Sequence, residues 1–151
     1  MPTHYAGSRA EKRTLDTFIK LTRCTNSVLA RLAERNSIGD LTPSQFAVLE
    51  ALYHLGSMHQ GEVSGKVLKS GSNLTTVIDH LERDGLVRRE RDENDRRVIH
   101  VHLTEAGKRK IEAAFPGHVA ALVEEFSILT AQEQETLGEL CKKLGRGRKS
   151  R

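Results

Sequence analysis

The sequence predicts a mainly α-helical chain that carries one small β-ribbon. Three observations lead there. Apolar residues recur at i, i+3, i+4 and i+7 over most of the length, the period of helices with one buried face. Helix-start signatures stand at TPSQ (residues 42–45) and TAQE (130–133). A single stretch, VIHVHL at 98–103, alternates with period two. It directly follows RRERDENDRR at 88–97, in which nine of ten residues are charged.

Residues 1–9 are small and polar, with Pro2 and Gly7, and are expected to be disordered. A first helix follows. Leu15, Phe18, Thr22, Leu29 and Leu32 form its stripe, with Leu21, Cys24 and Val28 beside it. That face is wider than a short surface helix needs. Ser37-Ile38-Gly39-Asp40 ends it. Thr42 is the expected N-cap of a second helix, with Pro43 at the first helical position and Gln45 closing a capping box. This helix stops at Gly56. Residues 60–68 read as a short third helix with Val63 and Val67 inward. Residues 69–72, KSGS, form a turn that offers Ser70 and Ser72 as caps.

The next helix is NLTTVIDHLERDG. Leu74, Val77, Ile78 and Leu81 share one face, and Ser72, Asn73, Thr76, His80 and Arg83 share the opposite one. Gly85 closes it. Strands at 86–91 and 98–103 then flank the charged tip. Thr104-Glu105 opens a long helix with Ile111, Phe115, Val119, Leu122 and Phe126. Pro116-Gly117 in its middle predicts a kink or break. Thr130 and Glu133 form a capping box for a last helix with Leu137, Leu140, Cys141 and Leu144.

Composition narrows the function. The 151 residues suit one domain, 37% hydrophobic, with 4% aromatics and no Trp. The core is therefore aliphatic, which argues against a reader that stacks bases on aromatic rings. No apolar run reaches 18 residues and the N-terminus lacks an apolar signal core, so a cytoplasmic protein without membrane contact is expected. Cys24 and Cys141 are too few for a disulfide framework or a metal knuckle and are expected to be reduced and partly buried. The net charge of +4 rests on residues 142–151, which hold six cations and no acid. Residues 82–97 hold six arginines and six acids. Any case for nucleic acid must therefore rest on where charge is placed.

Helix, short helix, helix and two-stranded ribbon is the layout of a winged helix-turn-helix. There the third helix enters the major groove, and short polar side chains at its N-terminal outer face meet bases and phosphates. An arginine at a ribbon tip can insert into the minor groove. Interleaved acids would brace the long arginines. An ordinary solvated helix face and a hairpin kept soluble by mixed charge are the alternatives.

On LTPSQFAVLEAL (41–52), LTTVIDHLERDGLVRRERDENDRRV (74–98) and VHLTEAG (101–107), the chain resembles the MarR family, the multiple antibiotic resistance regulators. The resemblance covers about residues 10–145. Its specific motif is D-x-R, here Asp95-Arg96-Arg97, before a strand that ends in Leu103-Thr104 with Gly107 following. It implies that Arg97 reaches into the minor groove, that Asp95 holds the wing's arginines, and that residues 72–84 form the recognition helix. It also implies one domain over 10–145, with 10–36 and 105–145 as dimerisation helices, 42–103 as the winged helix-turn-helix DNA-binding lobe, and 146–151 as a basic tail. The candidate DNA-contacting residues are Ser70, Ser72, Asn73, Thr75, Thr76, His80, Arg83, Arg88, Arg96 and Arg97, with Asp95 as the wing brace.

The expected function is that of a sequence-specific, homodimeric transcriptional repressor on a palindromic double-stranded operator. It would be released by a small aromatic or anionic effector, or by an oxidant. No other cofactor is expected. His54, His59 and His118 are candidates to line the effector pocket. His100 and His102 share a strand face, but no Cys or carboxylate cluster stands near to complete a zinc site. Cys24, on the first helix, is the candidate redox sensor, with a packed interface thiol as the alternative. No nucleophile–base pair, P-loop or GxGxxG is present, so an enzyme is not expected. The rival functions are a winged-helix dimer serving as a protein-interaction scaffold and a thiol-based redox sensor.

Overall fold

The structure is a computed structural model that describes residues 4–67 and 73–147. The elements, in chain order, are α1 (Arg9–Glu34), α2 (Pro43–Leu55), β1 (Met58–His59), α3 (Gln60–Lys66), α4 (Leu74–Arg83), β2 (Val87–Arg91), β3 (Ile99–Leu103), α5 (Glu105–Phe126) and α6 (Ala131–Gly145). They divide into two compact units, Ser37–Val119 and Met1–Asn36 with Ala120–Arg151.

The unit Ser37–Val119 holds the core. Phe46, Val48, Leu49 and Leu52 of α2 meet Val63 of α3, Ile78 and Leu81 of α4, Val87 and Val101 of the sheet, and Ile111 of α5. Most of these side chains are aliphatic, as the low aromatic content requires. The capping box of α2 is complete: Thr42 Oγ1 accepts from Gln45 N (3.1 Å) and Gln45 Oε1 accepts from Thr42 N (3.0 Å). The sheet is antiparallel in the order β1-β3-β2, with Val87 opposite Leu103 and Met58 opposite Val101. β1 is absent from the sequence-based expectation, because two residues are too few to show alternation.

The corner between β3 and α5 explains the LT-x-x-G pattern. Thr104 Oγ1 donates to the Gly85 carbonyl (2.6 Å) and accepts from Gly107 N (3.0 Å), while Thr104 N donates to the Leu86 carbonyl (3.1 Å). Gly85 has φ +74°, a conformation that favours glycine. A Cβ on Gly107 would collide with the Leu86 carbonyl oxygen and crowd Leu103 Cδ1. The backbone oxygen cannot move without breaking its bond to Thr104. Gly107→Ala is therefore expected to destabilise the fold by about 1–3 kcal/mol, read as a lower urea midpoint. An unchanged midpoint would show that the corner has slack.

The unit Met1–Asn36 with Ala120–Arg151 is built differently. Among its described residues only Leu32 and Ala121 are buried. Phe18, Leu21, Leu29, Val123, Ile128, Leu137, Leu140 and Leu144 are all exposed. Arg31 Nε meets Glu125 Oε2 at 2.7 Å and Arg35 Nη2 meets Glu125 Oε1 at 2.9 Å, so α1 and the end of α5 are joined by ion pairs.

Four expectations need correction. Within the stretch expected to be disordered, Ser8 caps α1 in a full capping box with Glu11. Of the kink or break expected at Pro116, the break is absent, since α5 is continuous from Glu105 to Phe126. An interior proline removes one N–H from the ladder and crowds the carbonyl four residues before it; Phe115 and His118, flanking it, lie against Phe46. Asn73, rather than Ser70 or Ser72, caps α4, its Oδ1 accepting from Thr76 N. Ser70 and Ser72 themselves lie outside the described residues, as do residues 148–151 of the tail. Cys24 and Cys141 are exposed in the single chain, because α1 and α6 carry no cover at those positions.

Candidate nucleic-acid interface

α4 is amphipathic in the required sense. Ile78 and Leu81 are fully buried, and Leu74 and Val77 pack against the same core. Asn73, Thr75, Thr76, His80 and Arg83 are exposed. Two contacts fix this helix. Gln60 Nε2 at the start of α3 donates to Thr75 Oγ1 (3.3 Å). Arg89 of β2 does more. Its backbone N donates to Glu82 Oε2 (2.8 Å), its Nη2 to the Thr75 carbonyl (3.2 Å), and its Nη1 pairs with Asp79. The side chain is only 19% exposed. Arg89 therefore fixes α4 to the ribbon.

Arg89 is missing from the sequence-based candidates although its signal was present. It stands two positions after the buried Val87, on the same strand face, and lies opposite the buried Val101, so it sits on the inward face. An arginine there must find partners. Arg88 points the other way. It pairs with Glu90 Oε2 (2.9 Å) beside His102 and holds the Glu90 carboxyl below its ordinary value.

The wing tip spans residues 92–98. Asp95 grips Arg97 three times: Oδ1 accepts from Arg97 N (3.1 Å) and Nε (3.1 Å), and Oδ2 accepts from Nη2 (3.3 Å). These bonds hold the Asp95 carboxyl below its ordinary value. The Arg97 side chain is nevertheless 91% exposed. Asp95 holds this one arginine; Arg91 Nη1 instead donates to the Arg96 carbonyl (2.9 Å). Arg96 is exposed beside it.

Asp92 was not among the sequence candidates. Its Oδ1 accepts from Asn94 N (2.8 Å) and Asp95 N (2.9 Å), and its Oδ2 meets His100 Nε2 (2.9 Å). The His100 bond first, then the two backbone bonds, pull its pKa from 3.8 to about 2. A depressed carboxylate stabilises the folded form above its unfolded pKa and loses that effect as pH falls through the folded one. The wing tip should thus stay ordered down to about pH 4 and loosen toward pH 2. The amide resonances of Asn94 and Asp95 should titrate with a midpoint near 2. A midpoint at 3.8 would show the carboxylate to be free.

The histidines separate into two groups. His54 and His118 both meet Phe115 edge-on, and His118 also meets Phe46. His59 belongs elsewhere: its ring lies 4.4 Å from that of His100, because β1 pairs with β3. Within the chain, His59 thus sits with the sheet and His54 and His118 with Phe115. His102 Nδ1 meets Ser57 Oγ (2.8 Å). Among the described residues no three His, Cys, Asp or Glu side chains group as metal ligands.

A helix with an exposed polar N-terminal face, pinned to a three-stranded sheet whose charged ribbon projects an arginine, defines a winged helix-turn-helix protein. Comparisons agree. The MarR family model matches residues 41–99. The HTH-type transcriptional regulator MhqR of Bacillus subtilis is 34% identical over 134 residues, spanning 89% of this chain and 92% of that protein. The HTH-type transcriptional repressor MdtR of the same organism is 28% identical over 89% of this chain and 87% of its own. Bordetella bronchiseptica BpsR, whose DNA binding is regulated by 6-hydroxynicotinic acid, superposes with a TM-score of 0.73 at 25% identity, covering 83% of this chain and 98% of its own.

The chain belongs to the MarR family of DNA-binding transcriptional regulators. No helix among the described residues is long and apolar enough to cross a membrane.

Proposed function

We propose that the protein is a homodimeric repressor that binds a palindromic operator through α4 and the β2–β3 wing and is released by a small molecule. The observation that carries this is Arg97, almost fully exposed at the ribbon tip yet held in one orientation by Asp95. An arginine so presented suits the narrow, negative minor groove. Asn73, Thr75, Thr76, His80 and Arg83, with Ser70 and Ser72, would meet the major groove, and Arg88 and Arg96 the flanking phosphates. Two-fold symmetry would set the two α4 helices about one DNA turn apart. MdtR is named a repressor.

The effector proposed is a small aromatic acid. His54, Phe115 and His118 give a ring cluster with two imidazoles, and BpsR responds to 6-hydroxynicotinic acid. Effector binding would change the spacing of the two α4 helices. Selection of bound fragments from the protein's own genomic neighbourhood tests the proposal: a shared inverted repeat is expected, and a set of fragments with no common sequence would sink it. A protein-interaction scaffold would enrich no duplex at all.

The rival mode of release is by oxidant at Cys24, whose thiol is exposed in the single chain. Packing of α1 against a partner would cover it, so Cys24→Ser is expected to retain operator affinity and peroxide to leave the wild type nearly unchanged. Loss of binding with peroxide in the wild type, spared in Cys24→Ser, would assign release to the thiol.

A further inference from the structure

We propose that Asp92, held by His100, is the residue that positions Arg97 for DNA, acting through the backbone of Asp95. This rests on Arg97 being the wing's DNA contact.

The bonds form one continuous chain. His100 Nε2, on the outward face of β3, donates to Asp92 Oδ2. Asp92 Oδ1 accepts from the N–H groups of Asn94 and Asp95. The Asp95 carboxylate then accepts from Arg97 N, Nε and Nη2. Each link fixes the next. The seven-residue turn has two backbone bonds of its own, Asp92 N to the Val98 carbonyl (3.0 Å) and Val98 N to the Asp95 carbonyl (2.9 Å). Those close the loop but leave the orientation of the peptide before Asp95 to the Asp92 side chain. Two N–H groups bound by one carboxylate oxygen are a strong, charge-assisted arrangement. Asp92 and His100 are each less than one-third exposed, so water competes with their pairing less than it does at the tip.

The anchor at the other end is firm. His100 lies opposite Glu90 in the strand register and its ring lies against that of His59. The sheet thus transmits its own order to the wing tip through two side chains. Asp92 never needs to approach DNA. It is a positioning residue, and its loss should appear as a loss of what Arg97 does.

The conservative change separates position from charge. In Asp92→Asn the amide oxygen still accepts both backbone N–H groups. Its Nδ2 can donate to His100 Nε2 once the ring proton moves to Nδ1. Asp92→Ala offers no acceptor. The experiment is a double-mutant cycle on the full chain, read by fluorescence anisotropy with a duplex selected from the genome at several salt concentrations. The proteins are wild type, Arg97→Ala, Asp92→Ala, Asp92→Asn, and Asp92→Ala combined with Arg97→Ala.

Asp92→Ala should weaken binding by about 3- to 100-fold, the span of coupling between residues of one network, and should make the salt slope shallower, as Arg97→Ala does. Asp92→Asn should restore most of the affinity. In the Arg97→Ala background Asp92→Ala should cost nothing further. An equal cost in both backgrounds overturns the proposal, since Asp92 would then act on the fold at large. Wild-type affinity in Asp92→Ala, with Arg97→Ala impaired, overturns it while sparing the wing contact. If Arg97→Ala itself binds normally, the wing contact falls and the positioning role falls with it. Should Asp92→Ala lose its helical circular dichroism, the cycle is run with His100→Ala, which leaves both backbone bonds to Asp92 in place and should show a smaller cost that also vanishes without Arg97.

Discussion

Leu140→Asp is expected to turn a two-chain assembly into monomers and to lower operator affinity about 10²–10⁴-fold. Leu137, Leu140 and Leu144 follow one stripe of α6, and all three are exposed in the single chain. On α1, Phe18 is 63% exposed and Leu29 is 52%. Burying a side chain of this size contributes about 1.5–3 kcal/mol, and two-fold symmetry doubles each contribution. An aspartate in that face must either leave it or lose its hydration. The unit Ser37–Val119 has its own core, so the helical signal should survive. Each half-site would then be bound alone, without the effective concentration that a dimer supplies. Light scattering at micromolar concentration should give two chains for the wild type and one for Leu140→Asp. A folded wild-type monomer would remove the basis for a palindromic operator.

Arg97→Ala should cost about 1–3 kcal/mol per half-site. Minor-groove edges say little beyond A·T against G·C, so the loss should fall on affinity more than on base preference. Two cations leave each dimer. The log–log salt slope should become shallower by about 2 if each displaces one counterion. Arg88→Ala is the comparison: it removes a cation proposed to meet phosphate without entering the groove, and one already paired with Glu90 near the ribbon's base, so its cost should be smaller. Thr76→Ala in α4 should instead change the preferred sequence with little change in slope. Equal effects from Arg97→Ala and Arg88→Ala would reduce the wing to a diffuse cationic patch.

The elements that could be read from the sequence are those whose signals are local. The apolar stripe of α4, the boxes at Thr42 and Thr130, and the alternation in β3 all lie within two turns or one strand. The box at Ser8 and Glu11 was equally local, and was passed over because Pro2 and Gly7 suggested disorder. β1 exists only because β3 lies beside it, and a two-residue strand has no period. Pro116 shows the converse: a residue that locally signals a helix end stands inside α5, with Phe115 and His118 on either side of it against Phe46. At the site, the family resemblance carried by D-x-R implied that Asp95 holds the wing's arginines, and Asp95 does bind Arg97, two residues away. Arg89 and Asp92 depend on partners seven or more residues away, Glu82 for one and His100 for the other. Charge-rich text conceals such pairs, because any acid looks able to meet any base. Only the fold decides which ones do, and it sends Asp92 to a histidine and not to an arginine.

The most direct test is an equilibrium titration of the wild-type protein against two duplexes of equal length. One carries the inverted repeat selected from the genome; the other has one half-site scrambled. Two chains should bind the intact duplex, and scrambling one half should weaken binding strongly. Raising salt from 50 to 200 mM should cost about 10³–10⁵ in affinity if the dimer makes six to ten phosphate contacts. Equal affinity for both duplexes, or binding indifferent to salt, would contradict a symmetric reader that recognises sequence through α4 and holds DNA through its wings.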